Sequence, residues 1–149
     1  MGASRAGDDV EVRPFAPDDE AGVVALWERV FPDARPWNGA RAIVARKAAM
    51  RDGLFLVAIG DGALLGAVVA GWDGQRGWLY HLAVDLARRR RGIGRRLVAA
   101  AEAALARRGC PKMNLQVMAS NADVVAFYER LGWSVEARVS MGKTLATDP

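Results

Sequence analysis

Apolar and polar positions run along this chain in two rhythms, and each change of rhythm marks an element. Val10-Glu11-Val12-Arg13-Pro14-Phe15 alternates and reads as a short strand closed by proline. Pro17-Asp18-Asp19-Glu20 opens a helix, with acids in the first turn that complement the helix dipole. Val23, Leu26, Trp27, Val30 and Phe31 follow at helical spacing, so one face is apolar, and Pro32 ends it. Arg35-Pro36-Trp37-Asn38-Gly39 reads as a loop with Asn38 as the N-cap of a second helix. That helix carries Ile43, Val44, Lys47 and Met50 and stops at Gly53.

Residues 54–59, 64–71 and 78–84 are apolar and β-prone, separated by the turns Gly60-Asp61-Gly62 and Trp72-Asp73-Gly74-Gln75-Arg76-Gly77. They predict an antiparallel meander. Ile93, Leu97, Ala101 and Leu105, with Val98 beside them, predict a helix ended by Gly109-Cys110-Pro111. Residues 112–118 predict a strand. Ser120-Asn121-Ala122-Asp123 has capping-box form and opens a helix with Val124, Phe127, Tyr128 and Leu131 inward and Gly132 at its end. Residues 133–136 and 138–143 predict two last short strands. The order is β-α-α-β-β-β-α-β-α-β-β, an α/β (α+β) arrangement, with no internal repeat or linker. A single domain over residues 9–145 is expected, after a frayed N-terminal tail through residue 8.

The 149 residues are 52% apolar and 26% charged, ordinary globular values that exclude a mostly disordered or collagen-like chain. No apolar run reaches about 18 residues, so no membrane span is expected. The first residues lack the apolar core of a signal peptide and the pattern for myristoylation. One Cys and one His provide neither a disulfide nor a metal-ligand spacing, and a reducing cytoplasm suits them. Net charge changes the picture most. The total is +4, yet residues 88–96 hold six Arg and no acid, which leaves 15 basic against 17 acidic residues elsewhere. A nucleic-acid binder needs a second basic patch to follow a backbone, so no nucleic-acid partner is expected.

That segment sits between a strand and a helix: Leu82-Ala83-Val84, then Arg89-Arg90-Arg91-Gly92-Ile93-Gly94-Arg95. A helix N-terminus presents N–H groups without intrahelical partners, glycine permits close approach, and arginine adds charge. Together these form a cradle for a bulky anion. The Lys-Ser/Thr of a P-loop is absent, and Leu97 stands where a dinucleotide fingerprint needs its third glycine. A coenzyme A pyrophosphate is the remaining reading.

Arg89-x-x-Gly92-x-Gly94 resembles the acetyl-CoA motif of the GNAT (GCN5-related) N-acetyltransferases. Asn121-x-x-Val124-x-x-x-Tyr128-Glu129-x-x-Gly132-Trp133 resembles that family's second motif. Leu26-Trp27-Glu28-Arg29, Arg35-Pro36-Trp37-Asn38 and Arg108-Gly109-Cys110-Pro111-Lys112 look like the bacterial YpeA-type branch. The resemblance implies a mixed, mostly antiparallel sheet of about six to seven strands flanked by four helices and splayed between its fourth and fifth strands. It implies that Leu82, Ala83 and Val84 pair with the pantetheine arm. Arg89, Arg90, Arg91, Gly92, Ile93, Gly94 and Arg95 would hold the pyrophosphate. Asn121 would contact the pantetheine or cysteamine region. Tyr128 would sit near the thioester sulfur and protonate the departing thiolate.

A phenol of pKa about 10 suits that role, and a backbone N–H on the splayed strand would polarise the thioester carbonyl. The attacking amine must first lose a proton. Where ribosomal-protein N-terminal acetyltransferases have a glutamate, this chain has Gln116, which takes no proton at neutral pH. Asp73, Glu28, Tyr80 and His81 are the alternative bases, beside a water-mediated route. Trp37, Asn38, Trp72, Asp73, Tyr80 and Gln116 are the candidate acceptor contacts. The expected activity is direct transfer of acetyl from acetyl-CoA to a primary amine, without metal, in a cytoplasmic monomer or homodimer. A non-catalytic acyl-CoA-binding regulatory module is the alternative.

Overall fold

A computed structural model describes residues 9–145, apart from the side chain of Asn38; the expected tail at residues 1–8 lies outside the described residues. Five strands form one sheet in the order β1 (Glu11–Pro14), β2 (Phe55–Gly60), β3 (Ala63–Trp72), β4 (Gly77–Val84) and β5 (Met113–Leu115). The first four pair antiparallel in chain order, and β5 joins β4 in parallel. The helices are α1 (Glu20–Val30), α2 (Ala40–Met50), α3 (Ile93–Arg107) and α4 (Ala122–Arg130). The chain divides between Gln116 and Val117 into two compact units, with the sheet and α1–α3 in the first and α4 in the second.

The sheet of the first unit is covered on both faces, which explains why β2 and β3 are apolar almost throughout rather than alternating. On one face, Val23, Val24, Leu26 and Trp27 of α1 and Val44 of α2 pack with Phe55, Val57, Ala67, Val69 and Ala83. On the other, α3 buries Ile93, Leu97, Val98, Ala101 and Leu105. The approach is close: a Cβ on Gly66 would lie 2.9 Å from Leu97 Cδ1, and one on Gly77 would lie 2.7 Å from Leu105 Cδ1. Those two strand glycines let the helix lie against the sheet.

Polar pins fix the ends of elements. Lys47, nearly buried on α2, donates to Asp52 Oδ2 at 2.8 Å and to the Ala70 carbonyl at 2.6 Å, tying α2 to β3. Arg13 meets Asp19 through two bonds of 2.7 and 3.0 Å, and Asp19 also accepts from the Ala16 N–H. The Arg13 guanidinium holds the Asp19 carboxyl below its ordinary range.

Several boundaries differ from the sequence reading. The N-cap of α2 is Gly39, because Asn38 closes a 3-10 turn over Pro36–Asn38. The N-cap of α4 is Asn121, whose Oδ1 accepts from the Val124 N–H at 3.4 Å, rather than Ser120. β5 is shorter than residues 112–118 because its partner is Gly77–Leu79 alone. Residues 133–136 and 138–143 form no strand, so the sheet has five strands among the described residues rather than six or seven. The mixed α+β architecture is the one expected. α3 and α4 end as predicted: Cys110 N–H bonds Leu105 O and Trp133 N–H bonds Tyr128 O, each closing over a left-handed glycine, Gly109 and Gly132.

Candidate functional site

β4 changes character halfway along. Gly77, Trp78 and Leu79 pair with Met113, Asn114 and Leu115, and the pairing stops there. Tyr80 to Val84 keep β3 on one side and, among the described residues, have no strand partner on the other. This is the expected splay between fourth and fifth strands. β4 also carries an extra residue. Ala67 pairs with Ala83 while Val69 pairs with Tyr80, so His81 and Leu82 share the place of one residue. His81 takes a left-handed φ of 52° at this bulge, a conformation uncommon outside glycine. Leu82, Ala83 and Val84 lie just beyond it on the unpaired edge.

The loop after β4 runs through a 3-10 turn (Leu86–Arg88) capped by Asp85, whose Oδ1 accepts from the Ala87 N–H at 2.9 Å. Arg90 has φ 67° and Gly92 φ 75°, which turns the backbone sharply into α3. The first bond of α3 runs from the Arg96 N–H to the Gly92 carbonyl at 3.0 Å, and no side chain caps the helix. The N–H groups of Gly92, Ile93, Gly94 and Arg95 thus carry the helix's positive end without an internal partner. Arg88 pairs with Asp61 at 3.4 Å. Among the described residues, Arg89, Arg90, Arg91, Arg95 and Arg96 make no ion pair, and all five are exposed. A polyanion is what such a concentration of unpaired charge fits.

The second unit holds the other two expected cofactor contacts on one helix. Asn121 uses its side-chain oxygen as the N-cap of α4, which leaves its amide N–H groups as donors. Tyr128, two turns on, is 8% exposed and packs its ring against Phe127 and Trp133 at 5.0 and 5.7 Å. Burial pushes its phenol up to about 12, so the group stays protonated at physiological pH.

The expected acceptor contacts lie at several separate places. Asp73 is occupied: its Oδ1 accepts from the Gln75 and Arg76 N–H groups at 2.8 Å each, closing the β3–β4 turn and lowering its pKa. Trp78 and Tyr80 stack on β4 at 6.3 Å, with Tyr80 48% exposed and its hydroxyl pKa raised by burial and by Asp73. Trp37 is also 48% exposed, on the turn before α2, where its carbonyl accepts from Arg46. Trp72 is half-buried at the end of β3, and Gln116 is exposed just after β5.

A cavity of about 270 Å3 lies between α1, the α1–α2 turn and β4. Trp27, Glu28, Phe31, Gly39 and His81 are among its walls. The His81 ring is 5.1 Å from Trp27 and 5.3 Å from Phe31, and burial lowers its pKa. Phe31 and Gly39 carry no signal in the sequence as site residues, and nothing there announces the bulge that brings His81 to them. A larger groove of about 400 Å3 runs along β1 and α3, past Val12, Leu56 and Ala104, and contains none of the expected site residues.

A family model described as the acetyltransferase (GNAT) family matches residues 21–133. The chain belongs to the GNAT acetyltransferase family. This acetyltransferase is 40% identical over 139 residues to an acetyltransferase of Pectobacterium atrosepticum, covering 93% of this chain and 98% of that protein. It is 38% identical, with the same coverage, to an uncharacterized N-acetyltransferase of Yersinia pestis. The fold is similar to that of an aminoglycoside N-acetyltransferase solved with CoA, at TM-score 0.78 and 17% identity over 97% of this chain and 100% of that one. It is also similar to Ard1 from Thermoplasma volcanium, at TM-score 0.76 and 21% identity over 86% and 84%. Acetyl-CoA is the cosubstrate of the family, and the unpaired cations and free N–H groups before α3 fit its pyrophosphate. No group of residues that could hold a metal occurs among the described residues, and no helix there is long and apolar enough to cross a membrane.

Proposed function

We propose that this acetyltransferase moves acetyl directly from acetyl-CoA to a primary amine of a small molecule, an amino acid or a peptide. One observation carries the reading. The backbone before α3 leaves a row of N–H groups free amid five unpaired arginines, directly after a strand edge that is also free. In this reading Leu82, Ala83 and Val84 pair with the pantetheine arm, Arg89 to Arg95 grip the pyrophosphate, and Asn121 contacts the cysteamine end. The family match runs across both compact units, which supports one functional domain over residues 9–145. The protein acts as a monomer or homodimer in the cytoplasm, with no nucleic-acid partner.

Tyr128 is the proton donor to the sulfur. Burial keeps its phenol protonated at physiological pH, so the proton is in place when C–S cleavage puts charge on sulfur. The phenol first donates a hydrogen bond to the developing thiolate. The proton it then gives up returns from the nitrogen of the new amide, so charge and atoms balance. Cys110 stays outside the chemistry: it sits at the end of α3, and its thiol donates to the Lys112 carbonyl at 3.3 Å.

The test is thiol release from acetyl-CoA against a panel of amines, amino acids and peptides, with single-turnover mass spectrometry of the protein. Free thiol with an acetylated amine and unmodified protein supports direct transfer. Acetyl found on Cys110 replaces it with a two-step route.

A further inference from the structure

The cavity between α1 and β4 has an unusual chemistry for its size. Its walls include two aromatic rings, Trp27 and Phe31, with Pro32, Ala34 and Ala40 completing the apolar surface. Glu28 and His81 are its only titratable residues. Of the other charges near this end of β4, Arg29 of α1 reaches Asp85 at 3.7 Å, while Asp33 and Arg35 on the α1–α2 turn and Arg41 at the start of α2 are exposed and stand outside the cavity walls. β3, opposite the bulge, presents only Ala67, Val68 and Val69.

His81 reaches this cavity because of the bulge. Without the extra residue, β4 would stay in step and position 81 would not need φ 52°. Backbone strain of this kind costs about 1–3 kcal/mol and persists where a side chain must be aimed. The same bulge starts the free edge proposed to hold the thioester arm, so the imidazole stands one residue from Leu82. An imidazole kept neutral can accept a proton, and the Trp27 and Phe31 rings at 5.1 and 5.3 Å fix its position in the cavity.

Resting on the amine-acetylation reading, we propose that this cavity seats a small apolar primary amine, that Glu28 holds its ammonium at the rim, and that His81 takes its proton. A void of about 150 Å3 accepts benzene, so about 270 Å3 takes a body of roughly ten non-hydrogen atoms. The ammonium gives one proton to His81, and its nitrogen lone pair then attacks the thioester carbonyl carbon. The C–N bond forms, the C–S bond breaks, and the bonding pair leaves on sulfur. The nitrogen's second proton ends on the thiol and the third stays on the amide; His81 releases the first to water.

His81 is the only histidine in the chain, so its NMR signals are unambiguous. The experiment combines that titration with thiol-release kinetics using phenethylamine as acceptor. Phenethylamine should shift the His81 resonances, and kcat/KM should rise with pH through the midpoint at which the imidazole titrates. His81→Gln should lose about 100-fold in kcat/KM and that limb of the profile, with CoA affinity unchanged. His81→Gly, which accepts the left-handed backbone, should recover activity with added imidazole, and Glu28→Gln should raise KM more than it lowers kcat. If His81→Gln folds poorly, the glycine variant and the wild-type titration decide. Activity of the variants within twofold of wild type overturns the role of His81. Thiol release with bulkier amines but not phenethylamine, and no shift of the His81 signals, overturns the cavity as the acceptor seat while leaving amine acetylation standing. CoA binding without thiol release for any amine overturns both.

Discussion

Tyr128→Phe removes one oxygen from a buried ring and changes almost nothing else. The ring keeps its edge contacts with Phe127 and Trp133, so the helix end should hold its shape. What goes is the proposed donor to sulfur at the moment negative charge develops there. A hydrogen bond to a charged group contributes about 1.5–3 kcal/mol net. All of it belongs to the transition state, so kcat should fall about 10- to 150-fold while CoA affinity stays within twofold. Burial supplies a second, activity-free readout. The folded phenol is pushed up to about 12, against about 10 when unfolded. Stability from this group is therefore fully present below pH 10 and is lost as pH rises toward 12. Two pKa units correspond to about 2.7 kcal/mol, which wild type should lose across that window and Tyr128→Phe should not. Thiol-release kinetics and urea melts at pH 8, 10 and 11.5 measure both effects. An unchanged kcat in a variant that has lost the alkaline sensitivity would show that the phenol is buried as assigned but donates nothing to sulfur.

Other outcomes follow from the first unit. Gly92→Ala meets no atom within 4 Å, so its cost is the left-handed backbone alone, about 1–2 kcal/mol, with weaker CoA binding in calorimetry as the turn relaxes. Lys47→Met leaves Asp52 Oδ2 and the Ala70 carbonyl without the ammonium donor and should cost about 2–4 kcal/mol in urea denaturation; a cost under 1 kcal/mol would mean that water replaces the ammonium. Asp19 is held below its ordinary pKa by Arg13, so the stability it gives is present above pH 4 and lost as pH falls through the depressed folded value. Asp19→Asn should be less stable at pH 7 and show a shallower decline in acid melts.

What the sequence revealed, and what it hid, divides by whether the cause is local. α3 and α4 were legible because their apolar residues fall every three or four positions and a glycine closes each by its own conformation. The basic glycine loop was legible for the same reason, since a helix start needs no distant partner to expose its N–H groups. Lys47 looked like one more position on a helix face; its burial depends on Asp52 and on a carbonyl 23 residues away. Residues 133–145 show the opposite failure. Val135, Val139 and Met141 alternate as a strand would, yet no strand forms there and the three are 76%, 90% and 91% exposed, because β-propensity alone does not decide pairing. Among the site residues, the arginines and glycines could be read directly, whereas the position of His81 follows from a one-residue register shift that no pattern in β4 announces.

That shift also explains why one strand carries so much of the proposed chemistry. A regular β4, paired along its whole length on both sides, would use every N–H and carbonyl in the ladder and leave nothing for a ligand. Here β5 stops at Leu115, opposite Leu79, and the bulge begins two residues later. The edge from Tyr80 to Val84 is kept extended by β3 and left unpaired on its other side. An extended arm with amide groups can occupy that side as a further strand would, with its anionic end lying toward the arginines that follow and its reactive end toward the bulge. The order along the chain, bulge, free edge, turn and helix start, would then fix the order of the groups bound. Extending β5 would test this link: substitutions that lengthen its pairing past Leu79 should raise thermal stability and weaken CoA binding together.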